Sequence, residues 1–482
     1  MLDSFLKLIN SISAAMWGPW TMIFIALVSV YLTIRSGFFQ VTHFGYIWRH
    51  TFGTLFAGDK DKPKRRMRIT PFQATATSLA GTVGMGNMAG VATALSIGGP
   101  GAIFWMWLLA FFGMISKTAE ITFGVHYREI DAEGRVHGGP MFYIRKALGW
   151  RTLAVLFSVG VTINCLFSSS MLQAHTVGRA LDASYGINPY LITSGMGIVT
   201  AVVAIGGVQR IGRFCQALVP LMTVLYLGSS LMVVMANGAQ IPAVFADIFR
   251  YAFAPAPAIG GFAGAAVVAA VQMGMARGML SNEAGLGTSP MVHANAQTPH
   301  PFQQGMWGAA EVFIDTTVVC TVTALAILST GVLANGSSGI EMLLEAYSSF
   351  YRPEVAKAFI SVAILTFCLS TQIGFYVYFK TAVEDLIGAR AFRLVRWVYF
   401  IPGVVFAGVT NVDQLWAFAN ISVAASAIPN LVALLMLSGA FLTLAKDYVS
   451  GTNRYTTEVS DREGRYVQVA TAMKAMQEQK ES

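Results

Sequence analysis

The densest group of residues able to do chemistry is Ser78-Leu79-Ala80-Gly81-Thr82-Val83-Gly84-Met85-Gly86-Asn87, set inside an apolar run. Each glycine disfavours helix by about 1 kcal/mol relative to alanine, so Gly81, Gly84 and Gly86 together should loosen a turn and release backbone N–H and C=O groups. In lipid such groups persist only where they line a cavity or meet a ligand. A second stretch has the same character: Gln272-Met273-Gly274-Met275-Ala276-Arg277-Gly278-Met279-Leu280-Ser281-Asn282-Glu283. Small residues spaced by four also let membrane helices pack closely, and either cluster alone could serve only that. Two clusters at corresponding places in the chain favour a pair of interrupted helices around a mid-membrane site for a small solute.

Ionisable side chains inside apolar runs are costly and are functional suspects by default. Glu120, Arg277, Glu283, Glu311 and Asp315 qualify. Glu311 and Asp315 lie four apart on one helix face, so an ion pair from Arg277 to one of them is expected, as a gate or structural pair near one end of the helices. Other chemistries lack their residues. Cys165, Cys215, Cys320 and Cys368 stand singly in apolar segments, which argues against zinc or a disulfide framework. There is no HExxH, no GxSxG and no Walker motif, so neither an enzyme nor an ATP-driven pump is indicated. Repeated filter loops or rings of like charge, which a channel would favour, are missing too.

The elements that must hold these residues are membrane helices. Of 482 residues 55% are hydrophobic and only 12% charged, and the mean hydropathy is +0.58, well away from the soluble norm of about 25% charged. The net charge of +8 sits in short loops, which reads as membrane topology rather than nucleic-acid binding. About eleven apolar spans are predicted. They lie near 17–35, 72–98, 101–124, 152–176, 190–206, 212–236, 260–284, 306–333, 355–385, 394–410 and 412–444. No removable signal peptide is recognised. The basic run Lys60, Lys62, Lys64, Arg65, Arg66 and Arg68 follows the first span and should stay cytoplasmic, giving an external N-terminus and a cytoplasmic C-terminus. In segment 125–151, Gly138-Gly139-Pro140 reads as a turn and Met141–Ile144 as an interfacial stretch. Residues beyond Lys446 read as a solvated tail.

The division that follows is an N-terminal helix and basic loop (1–69), two five-helix halves beginning on opposite sides of the membrane (70–240 and 241–445), and the tail (446–482).

Residues 84–92 (Gly84-Met85-Gly86-Asn87-Met88-Ala89-Gly90-Val91-Ala92) and 98–107 (Gly98-Gly99-Pro100-Gly101-Ala102-Ile103-Phe104-Trp105-Met106-Trp107) resemble the alanine/glycine:cation, or sodium:alanine, symporters. Gly139-Pro140-Met141, Ser281–Gly285 and Glu311–Thr316 support the likeness, which runs through nearly the whole chain. Met85 stands where many relatives carry Thr. The resemblance implies an all-α LeuT-type fold of two inverted five-helix repeats with one extra N-terminal helix. It also implies import of alanine or glycine with sodium, the alternative being proton coupling or broader small amino-acid specificity. A multi-pass protein of the cell (inner) membrane is expected, with the bilayer and a small amino acid as partners and neither nucleic acid nor ATP. A monomer is expected to suffice.

For a zwitterionic substrate, the Gly84–Asn87 turn would offer N–H groups to the carboxylate. An unwound turn near Gly274–Ala276 would offer carbonyls to the ammonium. Met273, Met275 or Phe375 would wall the side chain, with Thr82 and Gln73 as further contacts, although an interhelical hydrogen bond suits Gln73 better. Sodium prefers oxygen ligands, as other hard cations do. The resemblance brings Ser370 and Thr371 beside the first break, with the carbonyls of Ala80, Val83 and Phe367 completing a shell; the alternative is that the Ser-Thr pair only bonds back to its own helical turn. Asn87 either ligates a second cation or satisfies the unwound backbone. Arg277, Glu283, Glu311 and Asp315 are the gating candidates.

Overall fold

Helix ends show why the apolar runs fold where they do. The first broken helix begins at Thr70, whose hydroxyl accepts the Gln73 N–H (3.1 Å) while Gln73 Oε1 accepts the Thr70 N–H (3.0 Å), with Pro71 in the first turn. This reciprocal cap satisfies two otherwise orphaned donors. In the computed structural model, which describes residues 18–56, 69–131, 135–409 and 412–455 with a few short stretches nearer the termini, six helices are long and apolar enough to cross a membrane. Shorter helices fill the remaining spans, including Pro19–Arg35 and Pro189–Ala204. The chain is a multi-pass membrane protein. The basic run 60–68 and the tail residues Asp461, Arg462, Glu463 and Arg465 lie outside the described residues.

Helices occupy the stretches read as spans, with instructive departures. The expected span 260–284 becomes helical only at Val267. Ahead of it the chain doubles back through bridges Ala256–Ala265 and Ile259–Phe262, with Gly260 and Gly264 at positive φ. Helix Pro353–Val395 carries the expected span 355–385 and bends at Gly388 (φ 81°), while the expected span 394–410 continues as the short helical turns Arg396–Phe400 and Ile401–Val405. The last expected span divides into Val412–Met436 and Ser438–Val449. Asp447, expected in a solvated tail, is instead buried, pairing with His300 Nε2 (3.1 Å) and accepting the N–H groups of Arg454 and Tyr455. Met141–Ile144, read as an interfacial stretch, are covered by protein. They form the buried face of helix Pro140–Leu148, which the Gly138-Gly139 turn seats against Ala294 and Met291.

Two broken helices form the centre. The first runs Pro71–Thr82, opens over 83–85, and resumes through a π-helical turn Gly86–Gly90 into Val91–Gly98. The second is Val267–Asn282, a break over 283–288, and the short half-helix Ser289–His293. This corrects the sequence reading: residues 274–276 are not unwound. Gly274 lies in continuous helix where a Cβ would strike the Ala102 carbonyl, and Gly278 sits against Met106 and Leu109. Both serve close packing on helix Gly101–His126. The true break carries Glu283 (φ 55°), Gly285 (φ 90°) and Gly287 (φ 76°), left-handed conformations that glycine adopts freely.

Candidate functional site

At the first break three backbone donors already have partners. The Gly84 N–H donates to Asn87 Oδ1 (3.0 Å), the Met85 N–H to Gln173 Oε1 (3.3 Å) and the Asn87 N–H to the Gly84 carbonyl (3.3 Å). Asn87 therefore satisfies the unwound backbone. Its Nδ2 turns the other way, donating to Asp315 Oδ1 (2.8 Å) and Ser281 Oγ (3.0 Å). Asp315 also accepts from Ser281 and Thr316, so one carboxylate fastens both broken helices to the π-helical turn Phe313–Cys320.

A cavity of about 10 Å³ lies between the two breaks, room for about one water. Gly81, Thr82, Met85 and Gly86 line it from the first broken helix and Leu280 and Glu283 from the second. Ser168, Leu172 and Gln173 come from the long helix Arg151–Tyr185, and Phe375 from Pro353–Val395. Glu283 is the acidic side chain at its edge, its Oε2 accepting from Thr288 Oγ1 (2.6 Å). A vestibule of about 850 Å³ opens at one end of the bundle, lined by Ala89, Thr93, Thr176, Arg179, Arg277, Glu341, Lys357 and Trp416 among others, and Met85 lines both spaces.

Beside the first break is a cluster of oxygens. Ser370 Oγ lies 3.4 Å from the Ala80 carbonyl and donates to the Phe367 carbonyl (2.8 Å); Thr371 Oγ1 donates to the same carbonyl (3.0 Å). Thr371 Oγ1 stands only 2.5 Å from where a Cβ on Gly84 would lie. Hydroxyls and carbonyls suit a hard cation, so four of the five expected sodium ligands stand together; Val83 is buried at the end of helix Pro71–Thr82.

The second break is held by side chains of neighbouring helices. Lys117 Nζ donates to the Asn282 carbonyl (2.7 Å), and Glu120 Oε2 accepts the Gly287 N–H (3.1 Å). Asn430 Nδ2 bridges Glu120 Oε2 (2.8 Å) and the Gly285 carbonyl (2.9 Å), while Tyr143 donates to Asn430. An unwound segment away from water needs such partners. Glu120 thus has a positioning role, and Lys117, not singled out from the sequence, shares it. Glu311 binds Ser78 Oγ (2.8 Å) and His293 Nε2 (2.7 Å), 3.6 Å from Lys117 Nζ.

Several sequence-predicted residues lie elsewhere. Gln73 caps its helix and donates to Gln216 Oε1 (3.0 Å), the interhelical bond expected of it. Met273 packs against Gly98, and Met275 borders an apolar groove with Ile23, Leu27 and Trp105. Neither lines the central cavity. Arg277 pairs with neither Glu311 nor Asp315: its guanidinium lies 3.8 Å over the Trp416 ring, facing the vestibule. Thr82, Gly86 and Phe375 do line the cavity, and Gly84 abuts Thr371 and Gln173. Sequence reading missed Gln173 and Ser168. The polar run Ser168-Ser169-Ser170 with Gln173, inside an apolar span, was the available signal; it forms the π-helical turn Cys165–Met171 and the turn after it, a distortion common at functional sites.

The sequence model of the sodium:alanine symporter family covers residues 2–462. The chain belongs to the sodium:alanine symporter family. It is 34% identical over 453 residues to the sodium/alanine symporter AgcS of Methanococcus maripaludis, covering 92% of this chain and 97% of that one. An uncharacterised transporter of Bacillus subtilis is 36% identical over 460 residues, covering 95% and 96%. Among solved structures, MhsT in complex with L-phenylalanine aligns with a TM-score of 0.53 at 14% identity, covering 80% of this chain and 90% of that one. A manganese transporter of Eremococcus coleocola aligns at 0.53 and 14%, covering 84% and 83%. At such identity these neighbours establish the LeuT-type fold. Membership of the sodium:alanine symporter family makes this chain an amino-acid transporter of the symporter type and not an enzyme.

Proposed function

We propose that the protein imports alanine and glycine with sodium across the cell membrane by alternating access. One observation carries this reading: both helix breaks meet at a single small cavity with an oxygen cluster on its flank. Gln173 Oε1, on the Met85 N–H (3.3 Å), holds the place of a substrate carboxylate oxygen, which would displace it and gain the turn's positive dipole. Glu283 and nearby carbonyls receive the ammonium. Phe375, Leu172 and Leu280 wall the side-chain end closely, which suits a methyl group or a hydrogen. The Ala80, Val83, Phe367, Ser370 and Thr371 oxygens take sodium, so ion and substrate stabilise the same opened turn and each favours binding of the other.

The division into halves at 70–240 and 241–445 makes each broken helix the first span of its half, with the short helix Ile241–Tyr251 ahead of the second. The vestibule is then extracellular, with the N-terminus outside and the C-terminus in the cytoplasm. Glu311 closes the opposite end with Ser78 and His293, Asp315 ties the two broken helices together between the ends, and Arg277 guards the vestibule floor. A proton-coupled variant is the second reading, favoured by the buried His293–Glu311 pair (2.7 Å) that fastens the inner half-helix. The deciding experiment is labelled-alanine uptake into proteoliposomes under separately imposed sodium and proton gradients. Uptake driven by sodium alone supports the first reading, and uptake driven by protons alone supports the second.

A further inference from the structure

We infer that Met85 is the flap over the substrate cavity and the residue that limits substrate size. Met85 is the residue shared by the linings of the two spaces, with about 850 Å³ of vestibule on one side and about 10 Å³ of cavity on the other. A cavity that holds about one water admits an amino acid only if a wall retreats. Gln173 yields its place on the Met85 N–H to the substrate carboxylate, but the backbone and ring walls are poorly placed to retreat further. Gly81 and Gly86 contribute backbone, and Gly86 rests on the Ser281 backbone. Phe375 is wedged between Gly81 and the Tyr378 ring, 5.1 Å centroid to centroid.

The Met85 backbone is equally fixed. Its N–H is held by Gln173 (3.3 Å), and the preceding Gly84 has no space for even a Cβ beside Thr371 Oγ1 (2.5 Å). Its side chain is the free part. Methionine is unbranched, with three rotatable bonds and a thioether that accepts hydrogen bonds only weakly. Sδ lies 3.3 Å from Thr176 Oγ1, but that hydroxyl has a better acceptor in the Leu172 carbonyl at 2.8 Å. Swinging toward the vestibule therefore breaks one weak contact and enters open space. Swinging back over a bound amino acid reseals the cavity, and the bulk of the thioether then excludes any side chain much longer than a methyl group. The ligand class is small, neutral, zwitterionic amino acids.

This deepens the proposed function and rests on it. The test uses purified full-length protein and the variants Met85→Ala and Met85→Leu, with thermal stabilisation by alanine, leucine and glutamine as the binding readout and proteoliposome uptake beside it. Met85→Ala should lower the leucine or glutamine concentration for half-maximal stabilisation by about tenfold or more, the scale set by a few methylenes in a pocket, while alanine still binds. Met85→Leu, which keeps the volume, should exclude the larger amino acids as the wild type does. A folded Met85→Ala protein that binds alanine and still excludes leucine and glutamine would overturn the inference, as would a Met85→Leu protein as permissive as Met85→Ala. Failure of the underlying reading shows separately, in the wild type: binding of leucine or glutamine but neither alanine nor glycine would refute the substrate assignment and the filter together.

Discussion

Lys117 Nζ stands 3.6 Å from Glu311 Oε2, and both side chains are almost completely buried (0% and 1% exposed). The lysine also donates to the Asn282 carbonyl (2.7 Å), the last of the half-helix Val267–Asn282. The glutamate also binds Ser78 of the first broken helix and His293 of the second (2.8 and 2.7 Å). This pair therefore fastens both broken helices to helix Gly101–His126. Close approach is possible because Gly305 and Gly308 lie against Thr122 and Lys117, where a Cβ would collide.

Removing one partner of a buried ion pair strands the other, at a cost of about 3–5 kcal/mol. Lys117→Met and Glu311→Gln should each lower the melting temperature and the yield of folded protein. The double variant should be less damaged than the sum of the two. A double-mutant cycle on detergent-purified protein that gave strict additivity would show that the pair does not interact energetically.

The two glycines of the first break should behave differently. A Cβ on Gly84 would lie 2.5 Å from Thr371 Oγ1 and 3.3 Å from Gln173 Oε1, whereas one on Gly86 would meet the Ser281 Cα at an ordinary 3.5 Å. Gly84→Ala is expected to cut alanine uptake by about a hundredfold, the scale of a 1 Å misplacement in a site, and Gly86→Ala should stay near wild type. Equal activity of the two variants, at equal protein levels in the membrane, would contradict this geometry.

Thr371→Ala removes one oxygen of the cluster formed with Ser370 and the Ala80 and Phe367 carbonyls. The sodium concentration for half-maximal uptake should rise, with little change in which amino acids compete. Thr371→Ser keeps the hydroxyl and should retain most of the sodium affinity. Unchanged sodium dependence in Thr371→Ala would place the ion elsewhere.

Orientation is testable because Cys165, Cys215, Cys320 and Cys368 are all buried. Ser338 is exposed beside the vestibule, and Arg151 is exposed at the start of helix Arg151–Asn164. In intact cells Ser338→Cys should react with a membrane-impermeant maleimide, while Arg151→Cys should react only after the membrane is opened. The reverse pattern would invert the topology.

Much of this was written in residue types. Apolar runs separated by short basic loops dictate a helical membrane protein, because a helix satisfies its own backbone in lipid. Three glycines in Gly81–Gly86 marked the first break where it occurs. The family pattern sets Ser370 beside Ala80, and its Oγ lies 3.4 Å from that carbonyl, while the bonds of Ser370 and Thr371 to Phe367 are back-bonds within one helical turn.

Tertiary structure decided the rest, because spacing along one helix says which residues share a face but not what that face meets. Gly274 and Gly278 read as loosening a helix, yet each sits under a neighbour on helix Gly101–His126. The break came later, at Glu283–Gly287, where partners exist for the freed backbone: Lys117 and Glu120 from one helix and Asn430 from another. Arg277 was expected on Glu311 or Asp315, but its side chain emerges on the vestibule face and rests on Trp416, leaving Glu311 to Lys117 and His293. Composition determined that buried charges would need partners in lipid, and only the packing of helices distant in sequence determined which partners they found.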